Sequence, residues 1–147
     1  MKIIAIDPDT KSINYAVYGN EQYIRHGKIS REIDIKKYDF EMRNLLKGAG
    51  LVAIEDQYLG KNVVTFKKLI KVVGEVEYIA KLLGIKIKPV TPQAWQTKML
   101  RISNKAKRPE RKKKALIIAG AIAKETITDH NFADAICIGS YISRRRF

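Results

Sequence analysis

The sequence predicts an α/β fold, a mixed sheet of five strands with helices packed against it. Short apolar runs rich in β-branched residues recur at 3–6, 51–54 and 85–90, and each ends at an acid or a turn signal. Longer stretches between and after them carry apolar residues at helical spacing, above all 63–83. Two further apolar stretches, 13–18 and 23–29, flank Gly19-Asn20, a pair suited to a hairpin turn. At 147 residues and 46% hydrophobic, the chain can bury one substantial core, so 1–147 is read as one domain.

The elements follow in order. The first strand stops at Asp7, where Asp7-Pro8-Asp9-Thr10 forces a turn. Strands at 13–18 and 23–29 complete an antiparallel trio. A helix is expected over roughly 30–47, capped by Ser30 and stopped by Gly48 and Gly50. The strand 51–54 again has an acid, Glu55, at its carboxyl end. In the long helix 63–83, Phe66, Leu69, Ile70, Val73, Val76, Ala80 and Leu83 form one stripe, and Val64, Val72 and Ile79 fall outside it. Two apolar edges suggest that it packs both on the sheet and on a partner subunit. The strand 85–90, a short helix from Thr91-Pro92 through Trp95, a helix over 110–124 and a last helix capped by Asp129 or Asn131 complete the order β-β-β-α-β-α-β-α-α-α.

Charge narrows the partners. With 29 Lys and Arg against 15 Asp and Glu, the net charge is +14, a field that attracts polyanions and nucleic acid first among them. No apolar run spans a bilayer and no terminal anchor is evident, so no membrane partner is expected. The opening residues read as a strand and not as a secretory leader, which gives the expectation of an intracellular, cytoplasmic protein. The single cysteine, Cys137, lies between Ile136 and Ile138 and reads as core filling, with no disulfide and no Cys-based zinc site.

The acids carry the chemistry. In open α/β sheets functional groups gather at the carboxyl ends of strands, where both Asp7 and Glu55 stand. If their strands are neighbours, the like charges demand a cation. Asp134, near the start of the last helix, can be delivered to the same spot, and three carboxylates suit Mg²⁺, with Mn²⁺ as a substitute. Such a set fits two-metal phosphodiester hydrolysis, with Asp7 shared between two ions, Glu55 completing one and Asp134 the other. Any one of these acids alone reads as a turn or cap residue; the three together on a basic chain do not. No Walker or dinucleotide glycine loop is present.

The basic block of Arg101, Lys105, Lys107, Arg108, Arg111, Lys112, Lys113 and Lys114 contains one acid, Glu110, and offers a phosphate-contact surface. Lys98 is a further candidate for a backbone contact. Trp95, framed by Pro92 and Leu100, reads as core and not as a platform for bases.

Taken in order, IIAIDPDTKSINYAVY, VAIEDQYLGKN and FADAICIG resemble the three motifs of the RuvC-type Holliday-junction resolvases of the ribonuclease H-like superfamily, especially the small phage members, over nearly the whole chain. The resemblance implies a ribonuclease H-like sheet with helices on both faces. It also implies a structure-selective endodeoxyribonuclease that resolves four-way junctions as a homodimer, acting in the host cytoplasm if the chain is a phage protein. The rival readings are a nuclease acting broadly on forks and flaps, and a junction-binding protein without catalysis. On this resemblance Asp7, Glu55 and Asp134 are metal ligands, Tyr58 stacks on bases, Lys61 and Asn62 lie near the DNA backbone, and a lysine of the basic block assists catalysis. Lys113 is the choice there, with Lys112 and Lys114 beside it. Two positions depart from the pattern. Asn131 stands where many relatives have a further Asp or His, which leaves Asn131, His130 and Asp129 as alternatives for a fourth ligand. Asp9 stands where many relatives have Gly.

Overall fold

The computed structural model describes residues 1–56, 62–103 and 105–145. Strands β1 (Lys2–Pro8), β2 (Ser12–Gly19), β3 (Gln22–Ser30), β4 (Leu51–Glu55) and β5 (Lys86–Val90) form a mixed sheet in the order β3-β2-β1-β4-β5. The first three are antiparallel neighbours, whereas β4 runs parallel to both β1 and β5. Helices α1 (Ile35–Leu46), α2 (Val63–Leu82), α3 (Pro92–Leu100), α4 (Arg108–Ala123) and α5 (His130–Ser143) cover the two faces.

The pleat decides which face each residue serves. In β1, Ile3 and Ala5 join a core with Trp95, Ala119 and Ile136, so they face α3, α4 and α5. Ile4 and Ile6 join Met42, Leu46, Val72 and Val76 on the side of α1 and α2. Asp7 has the parity of Ile3 and Ala5, and in β4 Glu55 has the parity of Leu51 and Ala53, which lie in that first core too. Both acids are therefore aimed at the layer that holds α5.

That layer is set by one close approach. Gly139 lets α5 lie against β2, because a Cβ there would come within 2.2 Å of a Tyr18 ring carbon. Tyr18 in turn donates its hydroxyl to the carbonyl of Ile136 at 2.6 Å, a buried bond between sheet and helix. Cys137 is buried in the same layer, as expected, and burial pushes its thiol up to about 12.

Local signals moved several boundaries. The hairpin turns at Asn20 and Glu21, with φ of 50° and 67°, while Gly19 still pairs with Gln22. The tight two-residue loop is thus one position later than the glycine suggested. Ser30 ends β3, and Asp34 caps α1 instead, accepting the N–H groups of Lys36 and Lys37. Helix α4 starts at Arg108, two residues before the expected Glu110. Asp129 is the cap of α5, which puts Asn131 in its first turn.

Helix α2 also differs from the expected stripe. Its buried residues are Val72, Val76, Ile79 and Ala80, so Val72 and Ile79 belong to the core. Ile70 and Leu83 are exposed, together with Val63, Val64, Tyr78 and Leu82. The reason is that only the second half of α2 rests on the sheet. A two-pronged bond from Arg31 to Glu75, 2.9 Å at each prong, and one from the Tyr38 hydroxyl at 3.0 Å fix that half in place.

A cleft of three carboxylates walled by cations

Register brings the first two acids together. β1 and β4 pair in parallel from Ile3 with Leu51 to Ile6 with Ile54, so Asp7 and Glu55 are the next residues on adjacent strands. Adjacent strands lie roughly 4.8 Å apart. Asn14, itself buried, steadies this end of β1 by donating its side-chain amide to the Asp7 carbonyl at 3.2 Å. Asp134 enters from the first turns of α5, whose start is fixed by Asp129 accepting the N–H groups of Asn131 at 2.8 Å and Phe132 at 3.3 Å.

All three line one cleft of about 560 Å³. The Asn62, Phe66 and Leu69 side of α2, Trp95 and Gln96 of α3, Arg108, Arg111 and Lys112 of α4, and Asn131 complete its wall. Phe66 and Leu69 thus serve the cleft and not the core. Asn62 also caps α2 by accepting the Thr65 N–H at 3.1 Å.

Electrostatics bear out the crowding. The Asp7 carboxyl, only 7% exposed, is held well above the usual carboxylate range, first by burial and then by Glu55, Asp134, Asp9 and Asp129. Burial also raises Glu55, and the indole N–H of Trp95, donating to its Oε2 at 2.8 Å, partly offsets this. Asp134 is pushed up to about 7 by burial and by Glu55, against the lowering pull of Lys112 and Arg108. A desolvated group of acids at one spot is one that a divalent cation would stabilise.

The donor chemistry suits a hard divalent ion. Every candidate ligand lining the cleft offers oxygen, and neither Asp7 nor Asp134 accepts a side-chain hydrogen bond from a described residue. No group of three or more Asp, Glu, His or Cys among the described residues is arranged to hold a single ion alone. Asp7, Glu55 and Asp134, with the Asn131 carbonyl, would be the residues to hold divalent metal there, and the metal would supply Lewis acidity for phosphodiester chemistry.

Other expected residues are dispersed. Arg111 and Lys112 line the cleft, and Arg111 also reaches Gln96 at 3.4 Å. Lys113 does not line it: on α4 it is turned to a second hollow with Arg108, Pro109, Lys112, Leu116 and His130, and of these Arg108 and Lys112 also reach the cleft. The cause is helical spacing. Arg108, Arg111, Lys112 and the buried Ala115 follow the i, i+3, i+4, i+7 pattern of one face, and Lys113 is a further 100° round. Lys98 and Lys114 are exposed outside the cleft. His130 is exposed and Asp129 is engaged in capping, so of the three alternatives for a fourth ligand only Asn131 lines the cleft. Tyr58 and Lys61 lie outside the described residues. Asp9, where a glycine was the expected pattern, adopts no positive φ, and its carboxylate accepts the Thr10 N–H at 2.7 Å.

Two contributors were not legible beforehand. Arg108 was visible only as part of a charge run, because starting α4 at Glu110 leaves it off the helix. Trp95 was read as core alone, and no local pattern announces its bond to a residue forty positions earlier.

Sheet order, parity and helix placement define a ribonuclease H-like α/β fold. Among solved structures it is shared with Thermus thermophilus RuvC in complex with a Holliday junction substrate, at a TM-score of 0.74 and 17% identity over 96% of this chain and 92% of that one. The yeast mitochondrial Holliday junction resolvase Ydc2 aligns at 0.56 and 13% identity, over 97% of this chain and 77% of that one. A fowlpox virus resolvase, solved with substrate Holliday junction DNA, aligns at 0.55 and 16% identity, over 93% and 94% of the two chains. No protein-family model matches this sequence, and no curated protein does.

Proposed function

We propose that this chain is a divalent-metal-dependent endodeoxyribonuclease that resolves four-way DNA junctions. The observation that carries the reading is the convergence of Asp7, Glu55 and Asp134 in one cleft flanked by Arg108, Arg111 and Lys112. Acids in isolation would repel a phosphodiester, and cations in isolation would bind it without cutting. The shared fold with resolvases solved on Holliday junctions supports branched DNA as the substrate.

Asp7, Glu55 and Asp134 would hold Mg²⁺ or Mn²⁺, and Asn131 would add an amide carbonyl. When bound, the metal supplies the Lewis acidity that activates water at phosphorus and stabilises the departing 3′ oxygen. The chain's own residues do the rest. Arg108, Arg111 and Lys112 draw the phosphate into the cleft and offset charge that develops on its oxygens. Asp7, fixed by the β1 and β4 register and by Asn14, sets the point to which the other two acids are referred. Val63, Val64, Ile70 and Tyr78, an uncovered apolar set on α2, support a homodimer that offers two clefts to two strands of one junction.

With Mg²⁺, labelled four-way junctions are expected to be cut faster than three-way junctions, and duplexes left intact. Equal rates on all three would replace this reading with a broad branched-DNA nuclease; binding without cutting in any metal would replace it with a junction-binding protein.

The position of Lys112 makes a second expectation. Lys112→Ala removes a cation from the cleft and with it a lowering influence on Asp134. Single-turnover cleavage should fall by about a hundredfold, the usual loss for one donor at a charged transition state. Lys113→Ala, which alters only the neighbouring hollow, should stay within about threefold of the wild type. The opposite ranking would return the role to Lys113.

A further inference from the structure

Trp95 is the one tryptophan of the chain, and its ring is 1% exposed among Val90, Leu100 and the residues of α4 and α5. Its path to Glu55 is short. Glu55 is in register with Val90 across β4 and β5, and the Asp56 N–H donates to the Val90 carbonyl at 2.8 Å. Thr91 then caps α3, accepting the Ala94 N–H at 3.2 Å, with Pro92 opening the helix. One turn later the chain has folded back over the end of β4, and the indole N–H meets Glu55 Oε2 at 2.8 Å.

An indole nitrogen only donates, never accepts and never changes charge. Its ring is wedged in the core, so the donor cannot turn away to another acceptor. A charge-assisted bond from such a donor holds a carboxylate in one rotamer and one tilt. We infer that Trp95 is a positioning residue for Glu55: its buried indole N–H presets the carboxylate so that the cleft binds a divalent ion without first reorganising that side chain. The inference rests on the metal-dependent reading above and concerns this chain's own residue behind the ligand.

Positioning partners of metal ligands are typically worth about 10- to 100-fold in affinity. Trp95→Phe keeps an aromatic ring in the core and deletes only the donor and part of the ring system. Calorimetric titration with Mn²⁺ should show the same stoichiometry as the wild type and affinity weaker by about 10- to 100-fold. Junction cleavage by this variant should need correspondingly more Mn²⁺ and recover most of its maximal rate once saturated. In the wild type, the emission of Trp95 should change on titration with Mn²⁺ and saturate with the calorimetric affinity, since the only fluorophore of its kind touches the ligand itself. Mn²⁺ affinity unchanged in Trp95→Phe overturns the inference. So does an emission that stays flat while calorimetry records binding, a result that needs only the wild type and stands even if the variant fails to fold. A wild type that binds no Mn²⁺, with or without junction DNA, overturns the metal-dependent reading itself and this inference with it.

Discussion

Asp7→Asn should abolish Mg²⁺-dependent junction cleavage, by at least about a thousandfold, while junction affinity stays within a few-fold of the wild type. Asn keeps the size and shape of the side chain, so β1 still pairs with β4 and Asn14 still meets the Asp7 carbonyl, a main-chain group that the substitution leaves alone. What is lost is the central negative charge. Asp7 is the most deeply buried of the three acids and feels both Glu55 and Asp134, so its removal takes away the charge around which the proposed metal site is built. The cations of α4 remain, and with them the phosphate contacts proposed to set affinity. Removing a buried acid from a basic cleft can even tighten binding slightly, by easing repulsion of the substrate. The measurement is paired: electrophoretic mobility shift in EDTA and cleavage in Mg²⁺ on the same four-way junction. Cleavage above a tenth of the wild-type rate would remove Asp7 from the chemistry. Loss of binding together with cleavage would make it a folding residue instead.

The site was legible where chemistry and local pattern coincide, and obscure where register decides. An acid directly after an apolar run marks a strand's carboxyl end, which is why Asp7 and Glu55 stood out. Parity, too, is written locally: Asp7 shares the face of Ile3 and Ala5 because side chains alternate. That β1 and β4 are neighbours is a long-range fact, fixed by packing of α1 and α2 on one face and α3, α4 and α5 on the other. The same limit explains the misplaced stripe of α2. A helix with apolar residues on most of its surface does not say which part meets the sheet; the sheet ends first, and Phe66 and Leu69 are left to the cleft. In α4 the cap at Lys107 makes no side-chain bond, so no local signal marked the helix start, and Arg108 was left outside the expected helix. Run-on charge carries no phase of its own.

The crowding of acids has a cost that should be visible as stability. Asp134 has a folded value of about 7 against an ordinary 3.8, raised chiefly by burial and next by Glu55. Between those values the folded protein holds the proton more tightly than the unfolded chain does, so unfolding free energy falls as pH rises. Well below the ordinary 3.8 both forms are protonated and nothing is lost, and near pH 4 the loss is still small; above about pH 7 the whole penalty is present, up to about 4 kcal/mol at 1.36 kcal/mol for each pH unit. Asp134→Asn carries no such charge. In EDTA it should therefore match the wild type near pH 4 and exceed it at pH 8 by about 2–4 kcal/mol in denaturant unfolding. Mg²⁺ should reverse the ranking in part, because an ion that binds only the folded, ionised site stabilises it by mass action, and the wild type has the fuller site. Denaturant melts at pH 4, 6 and 8, each with EDTA and with Mg²⁺, give the full set. Equal stability of the two proteins at pH 8 in EDTA would mean that Asp134 meets solvent freely and is not gathered with Asp7 and Glu55, and the cleft would lose its third acid.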